Sequence, residues 1–257
     1  MTGEPDGSAG AVGTPPPASA EPTPLSTRHS FLVERGRWAF EHLPGNAEWL
    51  LDAGCHDGAI TSGLASRARF AVGIDVDVLA LRAGRVRHPH ISFVAASADA
   101  LPFPTGAFDC VLFSEVLEHV PAQMEEHCIG ELRRVLRSGG TLLLTTPHHG
   151  TFWWLDPLML KTHARRLAGL LSGATPTWKG HKHYTVQDVC GLLDPYFDIQ
   201  AIERRGWLLY PLAYWGHLTP FGVGPALGQA WRALMDFDYS HEHGDAAYNL
   251  CIVARAR

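Results

Sequence analysis

The residues whose types and spacing point most clearly to chemistry lie near residue 50. The string LLDAGCHDG begins as an apolar segment and leads into Asp52, which is followed by a turn containing Gly54 and Gly58. Glycines permit a tight turn and let a ligand approach the backbone closely. Taken alone, the string is also typical of an ordinary strand–turn–helix connection, so its function depends on the residues that lie beside it.

A carboxylate follows the next apolar run. Asp75 lies 23 residues after Asp52, in the string VGIDVD. A carboxylate in this place can accept hydrogen bonds from both hydroxyls of a ribose. A dinucleotide site would need the pattern G-x-G-x-x-G, whereas this turn has glycine at positions 54 and 58 alone. These features favour S-adenosylmethionine, a nucleoside cofactor without a pyrophosphate, over NAD.

Two further segments complete a pattern of four. The third is ADALPFPTGAFDCVLFSEVLEHV, residues 98–120, and the fourth is RVLRSGGTLLLTTP, residues 134–147. In this order and spacing the four segments resemble those of class I S-adenosylmethionine-dependent methyltransferases, whose first motif is usually D-x-G-C-G-x-G. The residues that match this motif are Asp52, Gly54, Cys55 and Gly58. His56 stands where a third glycine is common, and the resemblance covers about residues 48–147.

The resemblance implies a set of cofactor contacts. The predicted contact residues are Asp52, Gly54, Cys55, Gly58, Asp75, Val76, Asp99, Ala100, Ser114 and Glu115. It also implies that Asp99 and Ala100 flank the adenine, with the Asp99 carboxylate accepting a hydrogen bond from the adenine amino group. Phe108–Ser114 would be the strand beside the transferred methyl group, so the side chains that follow it would point toward the reaction.

The sequence becomes aromatic beyond the fourth segment. Residues 148–171 contain many aromatic and apolar side chains, and residues 207–231 contain no Asp, Glu, Lys or Arg. The string GHKHYTVQDVCGLL, residues 180–193, resembles the segment before the last helix in ubiquinone-pathway O-methyltransferases. We predict cap insertions at about 148–183 and 206–240 that form an aromatic, largely helical lid over a bulky, largely apolar small molecule. Core packing and weak contact with a membrane surface are the alternatives for the charge-free run.

A base is needed if the acceptor atom is a hydroxyl oxygen, which is the acceptor that we expect. His119, His148 and His149 follow the fourth and fifth predicted strands and could each take the proton. We favour His149 as the catalytic base because it lies beyond the fifth strand and near the predicted cap. His119 is the second catalytic candidate.

Two other functions compete with this hypothesis. Glu115, Glu118 and His119, with His181 and His183 downstream, resemble the metal ligands of small-RNA 3′-end methyltransferases, and such a set could hold a divalent ion. The same Glu-x-x-Glu-His pattern occurs in many metal-free class I enzymes, so we predict no metal. An RNA 3′-end 2′-O-methyltransferase would also need a basic surface, whereas the chain after its first 27 residues carries 21 basic and 23 acidic residues. The other alternative is a non-catalytic, S-adenosylmethionine-binding regulatory protein.

A sheet must position these residues. Short apolar runs alternate with helical stretches along the 257-residue chain, which predicts a Rossmann-like, doubly wound α/β fold with seven strands, the last one antiparallel. The predicted strands are Glu48–Ala53, Phe70–Asp75, Ile91–Ala95, Phe108–Ser114, Thr141–Thr146, Phe197–Arg204 and Tyr248–Ala254. The predicted helices are Arg28–Gly45, Ala59–Arg67, Val78–Arg87 and Pro121–Leu136. Ligands of such sheets bind beyond the carboxyl ends of the strands, where the residues named above lie.

The first 27 residues differ from the rest of the chain. They contain six prolines, no lysine or arginine, and almost no large apolar side chains. Such a segment cannot bury enough surface to offset its ordering entropy, so we predict a disordered tail followed by one methyltransferase domain over residues 28–257. The tail lacks the marks of a signal or transit peptide, and the five cysteines form no C-x-x-C pair. We expect a cytoplasmic protein whose partner is a small-molecule acceptor rather than a nucleic acid.

Overall fold

The computed structural model describes residues 30–151, 153–155, 182–207 and 225–257. The predicted tail of residues 1–27 lies outside the described residues. The central parts of the two predicted cap insertions, residues 156–181 and 208–224, lie outside them as well. The described part of the chain contains a seven-stranded sheet and the edges of both predicted insertions.

The sheet has seven strands in the order β3-β2-β1-β4-β5-β7-β6. The strands are β1 (Ala47–Ala53), β2 (Ala68–Asp75), β3 (Ser92–Ala95), β4 (Phe108–Ser114), β5 (Leu136–Pro147), β6 (Phe197–Arg205) and β7 (Asn249–Ala256). Strands β1 to β5 pair in parallel, while β7 runs antiparallel to both β5 and β6. The prediction of a Rossmann-like, seven-stranded sheet with an antiparallel last strand is confirmed.

Helices connect the strands on both faces of the sheet. They are α1 (Ser30–His42), α2 (Ala59–Leu64), α3 (Val78–Arg87), α4 (Glu125–Val135), α5 (Val186–Leu193) and α6 (Pro225–Ser240). The start of α3 is fixed by Asp77, whose carboxylate accepts hydrogen bonds from the main-chain N–H groups of Leu79 and Ala80. At α5, Thr185 and Asp188 form a capping box, in which each side chain bonds to the other's backbone.

Two predicted boundaries differ from the structure by four or more residues. The predicted helix from Pro121 begins as a 3-10 turn over Ala122–Met124, and the α-helix starts at Glu125. Strand β5 begins at Leu136, five residues before its predicted start, because Leu136 already pairs with Phe108 of β4. The residues that follow lie opposite an irregularity in this pairing, and Gly139, with a φ of 72°, supplies the left-handed backbone that such an irregularity permits.

Apolar side chains cover both faces of the sheet. On one face, α4 and α5 pack Ile129, Leu132, Val189 and Leu193 against strand residues that include Leu142 and Leu144. On the other face, α1, α2, α3 and α6 pack Trp38, Leu64, Leu81 and Met235 against residues that include Leu143 and Cys251. Since neighbouring residues of a strand point to opposite faces, both helical layers are anchored to the same strands. Because β1, β2, β4 and β5 are parallel, their carboxyl ends lie along one edge of the sheet. We call it the cofactor edge, since the sequence predicts the cofactor site there.

Candidate functional site

The turn after β1 requires glycine at two positions. Gly54 has a φ of 92° and Gly58 a φ of 76°, both in the left-handed region. A Cβ atom on Gly54 would lie 2.2 Å from Cγ2 of Val116, and one on Gly58 would lie 2.5 Å from the ring of Phe93. The main-chain N–H of Gly54 also donates to the carbonyl of Ile74 at 2.8 Å, which ties the turn to β2. Close packing and main-chain hydrogen bonds therefore fix the conformation of this turn.

His56 occupies the position where the family commonly has a third glycine. Its φ is 51°, so it adopts the conformation that glycine would favour, at a cost of about 1 kcal/mol for a residue with a side chain. Its main-chain N–H donates to Oδ2 of Asp75 at 2.8 Å, while 72% of its side chain is exposed. The departure from the motif therefore preserves the backbone of the turn and adds an imidazole on its outer side.

Asp75 ends β2 beside this turn. Its Oδ2 accepts from His56 and its Oδ1 accepts from the main-chain N–H of Asp77 at 2.8 Å. A carboxylate has about four lone-pair sites, so both oxygens keep capacity to accept from a ribose. The next residue, Val76, is 72% exposed and offers an apolar surface for the adenine ring of a nucleoside. The bare glycine turn, the half-buried carboxylate and the exposed valine fit a nucleoside cofactor.

Asp52 and Cys55 face the inside of the same turn. Asp52 is 3% exposed and accepts a hydrogen bond of 2.5 Å from the Thr61 hydroxyl in α2. Burial raises the pKa of Asp52 to about 7, against the opposite effect of the Thr61 hydrogen bond. The Cys55 sulfur lies so close to Gly73 that a Cβ there would be 2.6 Å away. Both side chains hold the turn from within, and their contact with a cofactor stays a prediction.

Asp99 and Ala100 lie on the loop that follows β3. The main-chain N–H of Ala96 donates to the carbonyl of Asp75 at 3.2 Å, which places the start of the loop beside β2. His127 of α4 contacts the Asp99 carbonyl through Nε2 at 3.0 Å. Asp99 is half-buried and Ala100 is exposed. Their contact with the adenine stays a prediction.

Ser114 and Glu115 lie at the end of β4. The Glu115 carboxylate accepts from the Thr145 hydroxyl at 3.0 Å and from the Asn249 amide at 2.9 Å, and its other oxygen lies 3.4 Å from the Arg35 guanidinium. Because Thr145 donates to this carboxylate, the Ser114 hydroxyl at 2.8 Å must donate to Thr145. The contacts that the structure shows for the predicted cofactor ligand Glu115 are therefore contacts to protein groups.

The two predicted catalytic histidines are both accessible. The His119 side chain is 61% exposed, with Nε2 3.9 Å from the buried carboxylate of Glu118. His149 is exposed and stacks on Trp153, with 4.8 Å between ring centroids. His148, by contrast, is buried, and Nδ1 lies 3.1 Å from the Ala247 carbonyl. Burial lowers the pKa of His148, which is consistent with a neutral, structural imidazole.

His149 belongs to a larger aromatic group, which we call the aromatic wall. Its members are His149, Trp153, His183 and Tyr248. Trp153 meets His183 edge-on at 5.9 Å, and His183 meets Tyr248 at 6.3 Å. Three separate parts of the chain supply these rings, so no sequence pattern joins them. The wall lies just beyond the carboxyl end of β5 and before the start of β7.

The segment before α5 is anchored by its other residues. The Tyr184 hydroxyl donates to Oε1 of Glu125 at 2.8 Å, and it also lies 3.1 Å from the carbonyl of Leu117. Lys182 binds the same Glu125 carboxylate. Tyr184 is buried, so in this segment His183 contributes to the aromatic wall while Tyr184 and Lys182 fix the position of the segment.

In residues 30–151, 153–155, 182–207 and 225–257, no group of three or more His, Cys, Asp or Glu side chains is arranged to hold a metal ion. His181, one of the metal ligands considered above, lies outside those residues. None of the described helices is both long and apolar enough to cross a bilayer.

Comparisons with known proteins agree with the geometry of the cofactor edge. Residues 51–144 match a family model described as a methyltransferase domain. Over 136 residues the chain is 31% identical to a protein of Mycolicibacterium smegmatis described as a probable S-adenosylmethionine-dependent methyltransferase, a match that covers 53% of this chain and 50% of the relative. It is 32% identical to the demethylmenaquinone methyltransferase of Renibacterium salmoninarum, over 43% of this chain and 45% of the relative. The chain thus spans about half the length of these curated relatives.

Solved structures share the fold at low identity. The geranyl diphosphate C-methyltransferase of Streptomyces coelicolor superposes with a TM-score of 0.58 at 15% identity, covering 88% of this chain and 77% of that one. The N-methyltransferase NodS of Bradyrhizobium japonicum superposes with a TM-score of 0.52 at 17% identity, covering 89% of this chain and 85% of that one. The matched family model and the similar relatives show that residues 51–144 form an S-adenosylmethionine-dependent methyltransferase domain.

Proposed function

We propose that this protein transfers the methyl group of S-adenosylmethionine to a hydroxyl of a bulky, largely apolar small molecule. The aromatic wall is the observation that carries the proposal. Its rings lie just beyond β5, the strand that pairs with β4, so they border the edge where the methyl group is expected. Aromatic rings offer large apolar contact areas at a small cost in side-chain entropy, which suits an apolar acceptor.

The chemistry of the reaction divides between cofactor and protein. S-adenosylmethionine supplies a methyl group already activated on a sulfonium. The protein's task is mainly to hold acceptor and cofactor in line, and such positioning is worth many orders of magnitude in rate. Gly54, Gly58, Asp75 and Val76 would hold the nucleoside. The aromatic wall would orient the acceptor.

A proton leaves the acceptor hydroxyl when the new bond to carbon forms. His149 is our choice for the base because its imidazole is exposed and stacked against Trp153, within the wall that would hold the acceptor. His119 is the alternative, since its imidazole is also exposed and lies beside the Glu118 carboxylate. Imidazole is the side chain most often used to take a proton in general base catalysis.

The relatives' names support an apolar acceptor. Two of the relatives are named demethylmenaquinone methyltransferase, and the compound in that name is a lipophilic quinone. The chain shares only about half its length with these relatives, so they support the substrate class and no specific substrate. The near-neutral charge of the chain argues against an RNA acceptor.

Truncation of one tryptophan tests the acceptor site. Trp153→Ala should weaken acceptor binding at least tenfold, because Trp153 belongs to the aromatic wall. The affinity for S-adenosylhomocysteine and the melting temperature should change little. Trp49→Ala is the matched control, since Trp49 is also half-buried but lies in the first half of β1, where its ring packs against Phe70 of β2. It should lower the melting temperature without affecting acceptor binding. Unchanged acceptor affinity in Trp153→Ala would exclude the aromatic wall as the acceptor site.

A further inference from the structure

The backbone at Glu115 is held in an unusual conformation. Its φ is 56°, which places a residue with a long side chain in the left-handed region. Single residues with side chains are strained in this region and persist there only when their surroundings fix them. The main-chain N–H of Glu115 donates to the carbonyl of Thr145 at 2.9 Å, which is one such restraint. The side chain provides the others.

Groups from three separate elements bind the Glu115 carboxylate. They are the Thr145 hydroxyl of β5, the Asn249 amide of β7 and the Arg35 guanidinium of α1, at 3.0, 2.9 and 3.4 Å. Thr145 is 1% exposed, Asn249 0% and Arg35 8%. Hydrogen bonds to an ionised group are among the stronger ones in proteins, so this arrangement holds the carboxylate firmly.

The orientation of the Asn249 amide follows from its partner. A carboxylate can accept but not donate, so Nδ2 of Asn249 must face Glu115. Oδ1 of Asn249 is buried and makes no hydrogen bond with any residue that the structure describes. Asparagine therefore serves here as a donor to Glu115, and an aspartate of the same shape would remove that donor and add a like charge.

Val116, the residue after Glu115, contacts the glycine turn. The Val116 side chain lies directly over Gly54, where a Cβ atom would come within 2.2 Å of Val116 Cγ2. The place of Val116 depends on the backbone turn at Glu115, since the two residues are consecutive. The turn after β4 and the glycine turn after β1 are therefore in contact through Val116 and Gly54.

We propose that Arg35, Thr145 and Asn249 are positioning residues that hold the turn at Glu115 and thereby keep Val116 pressed on Gly54. They fix the shape of the cofactor site without themselves needing to touch the cofactor. The inference rests on the proposed function, because it assumes that the turn at Gly54 binds the nucleoside cofactor. It also assigns a role to α1, which the sequence motifs leave without one.

The test measures S-adenosylhomocysteine binding by calorimetry, with the melting temperature recorded for every variant. Asn249→Asp should weaken binding at least tenfold, because it replaces a donor with a like charge beside Glu115. Glu115→Gln keeps an oxygen for Thr145 and Asn249 and should bind much closer to wild type than Glu115→Ala does. Thr145→Val removes the hydroxyl at constant volume and provides the measurement if Asn249→Asp does not fold.

A control and a second background separate positioning from general loss of stability. Glu203 accepts from Trp38, His42 and Arg205 away from the cofactor edge, so Glu203→Ala should lower the melting temperature while affinity stays within about twofold. In a Val116→Ala background, Asn249→Asp should have little further effect, since the contact that transmits it is gone.

The outcomes distinguish the two proposals. If wild-type protein does not bind S-adenosylhomocysteine, the proposed function fails. If wild type binds and the folded Asn249→Asp and Thr145→Val variants bind equally well, the positioning role is wrong while the function stands. An undiminished effect of Asn249→Asp in the Val116→Ala background would overturn the route through Val116.

Discussion

The main-chain N–H of His56 donates to the carboxylate of Asp75 at 2.8 Å, so the turn after β1 and the acid at the end of β2 are joined directly. The bond holds His56 in its left-handed conformation and orients the carboxylate. Two segments that the sequence motifs treat separately are therefore one structural unit. Loss of the acid should affect both the ribose contacts and the turn.

Asp75→Ala tests this unit. It removes the carboxylate that we propose accepts from two ribose hydroxyls, and each hydrogen bond to a charged acceptor contributes about 1.5–3 kcal/mol. Calorimetry should therefore show S-adenosylhomocysteine binding at least tenfold weaker than in wild type. The neighbouring Asp77→Ala is the control, because Asp77 caps α3 and its loss should reduce stability while affinity is retained. Equal affinity in Asp75→Ala and wild type would remove Asp75 from the cofactor site.

The contact between Gly54 and Val116 predicts a specific effect of a single methyl group. Gly54→Ala would clash with Val116 and strain a backbone with a φ of 92°, so we expect a melting temperature several degrees lower and loss of S-adenosylhomocysteine binding. Gly139→Ala is the matched control, because its φ is 72° but no atom lies within 4 Å of the added Cβ. It should lose stability from backbone strain alone and bind normally. Normal binding by Gly54→Ala would contradict the packing of the turn.

Glu34 predicts a pH-dependent stability. It lies in α1 at 1% exposure, and burial, helped by its hydrogen bond to Asp236 of α6, raises its pKa from 4.5 to about 8. The folded state therefore keeps the proton that the unfolded state loses, and the stability of the wild type falls as pH rises from about 4.5 to 8. Glutamine mimics the protonated acid and avoids this loss.

The melting temperature of Glu34→Gln relative to wild type measures this effect. The difference should be near zero at pH 4.5, grow through neutral pH and level off above pH 8. At pH 8 we expect the variant to be more stable by at least about 1 kcal/mol, or a few degrees. Glu41→Gln, an exposed position on the same helix, should show no such trend. A difference that does not depend on pH would show that Glu34 is ionised in the folded protein.

The competing metal hypothesis has its own test. The Glu115 carboxylate is already paired with Arg35, so we expect methyl transfer to continue in the presence of EDTA. Complete loss of transfer with EDTA, restored by magnesium or manganese, would identify a metal site and contradict this prediction. Activity within about twofold of the untreated protein would support metal-free transfer.

Much of the fold could be predicted from local pattern. The apolar run before Asp52 and the one before Asp75 identified the strands that carry the cofactor edge, since parallel strands are buried on both faces and appear as continuous apolar runs. The start of β5 was missed by five residues because its first part is polar and glycine-rich and is held by pairing with Phe108. That pairing is a tertiary contact, which no local pattern encodes.

The residues of the candidate site were likewise predictable only in part. The glycine turn and Asp75 could be found because each lies at a fixed distance along the chain from a strand end. The partners of Glu115 could not be found, because Arg35 and Asn249 lie 80 and 134 residues from it and meet it only in the folded sheet. The aromatic wall is likewise assembled from distant segments, and Tyr184, which the sequence places beside His183, proves to be a buried anchor.

The most direct test of the central claim is methyl transfer itself. Wild-type protein would be incubated with S-adenosylmethionine labelled in its methyl group and a panel of apolar phenols and alcohols, with short RNA as a separate sample, and the products would be identified by mass. The proposal predicts one labelled methyl group on the oxygen of an apolar compound, formed together with an equal amount of S-adenosylhomocysteine, and none on RNA. Labelled RNA without any labelled small molecule, or transfer confined to nitrogen or carbon, would contradict it.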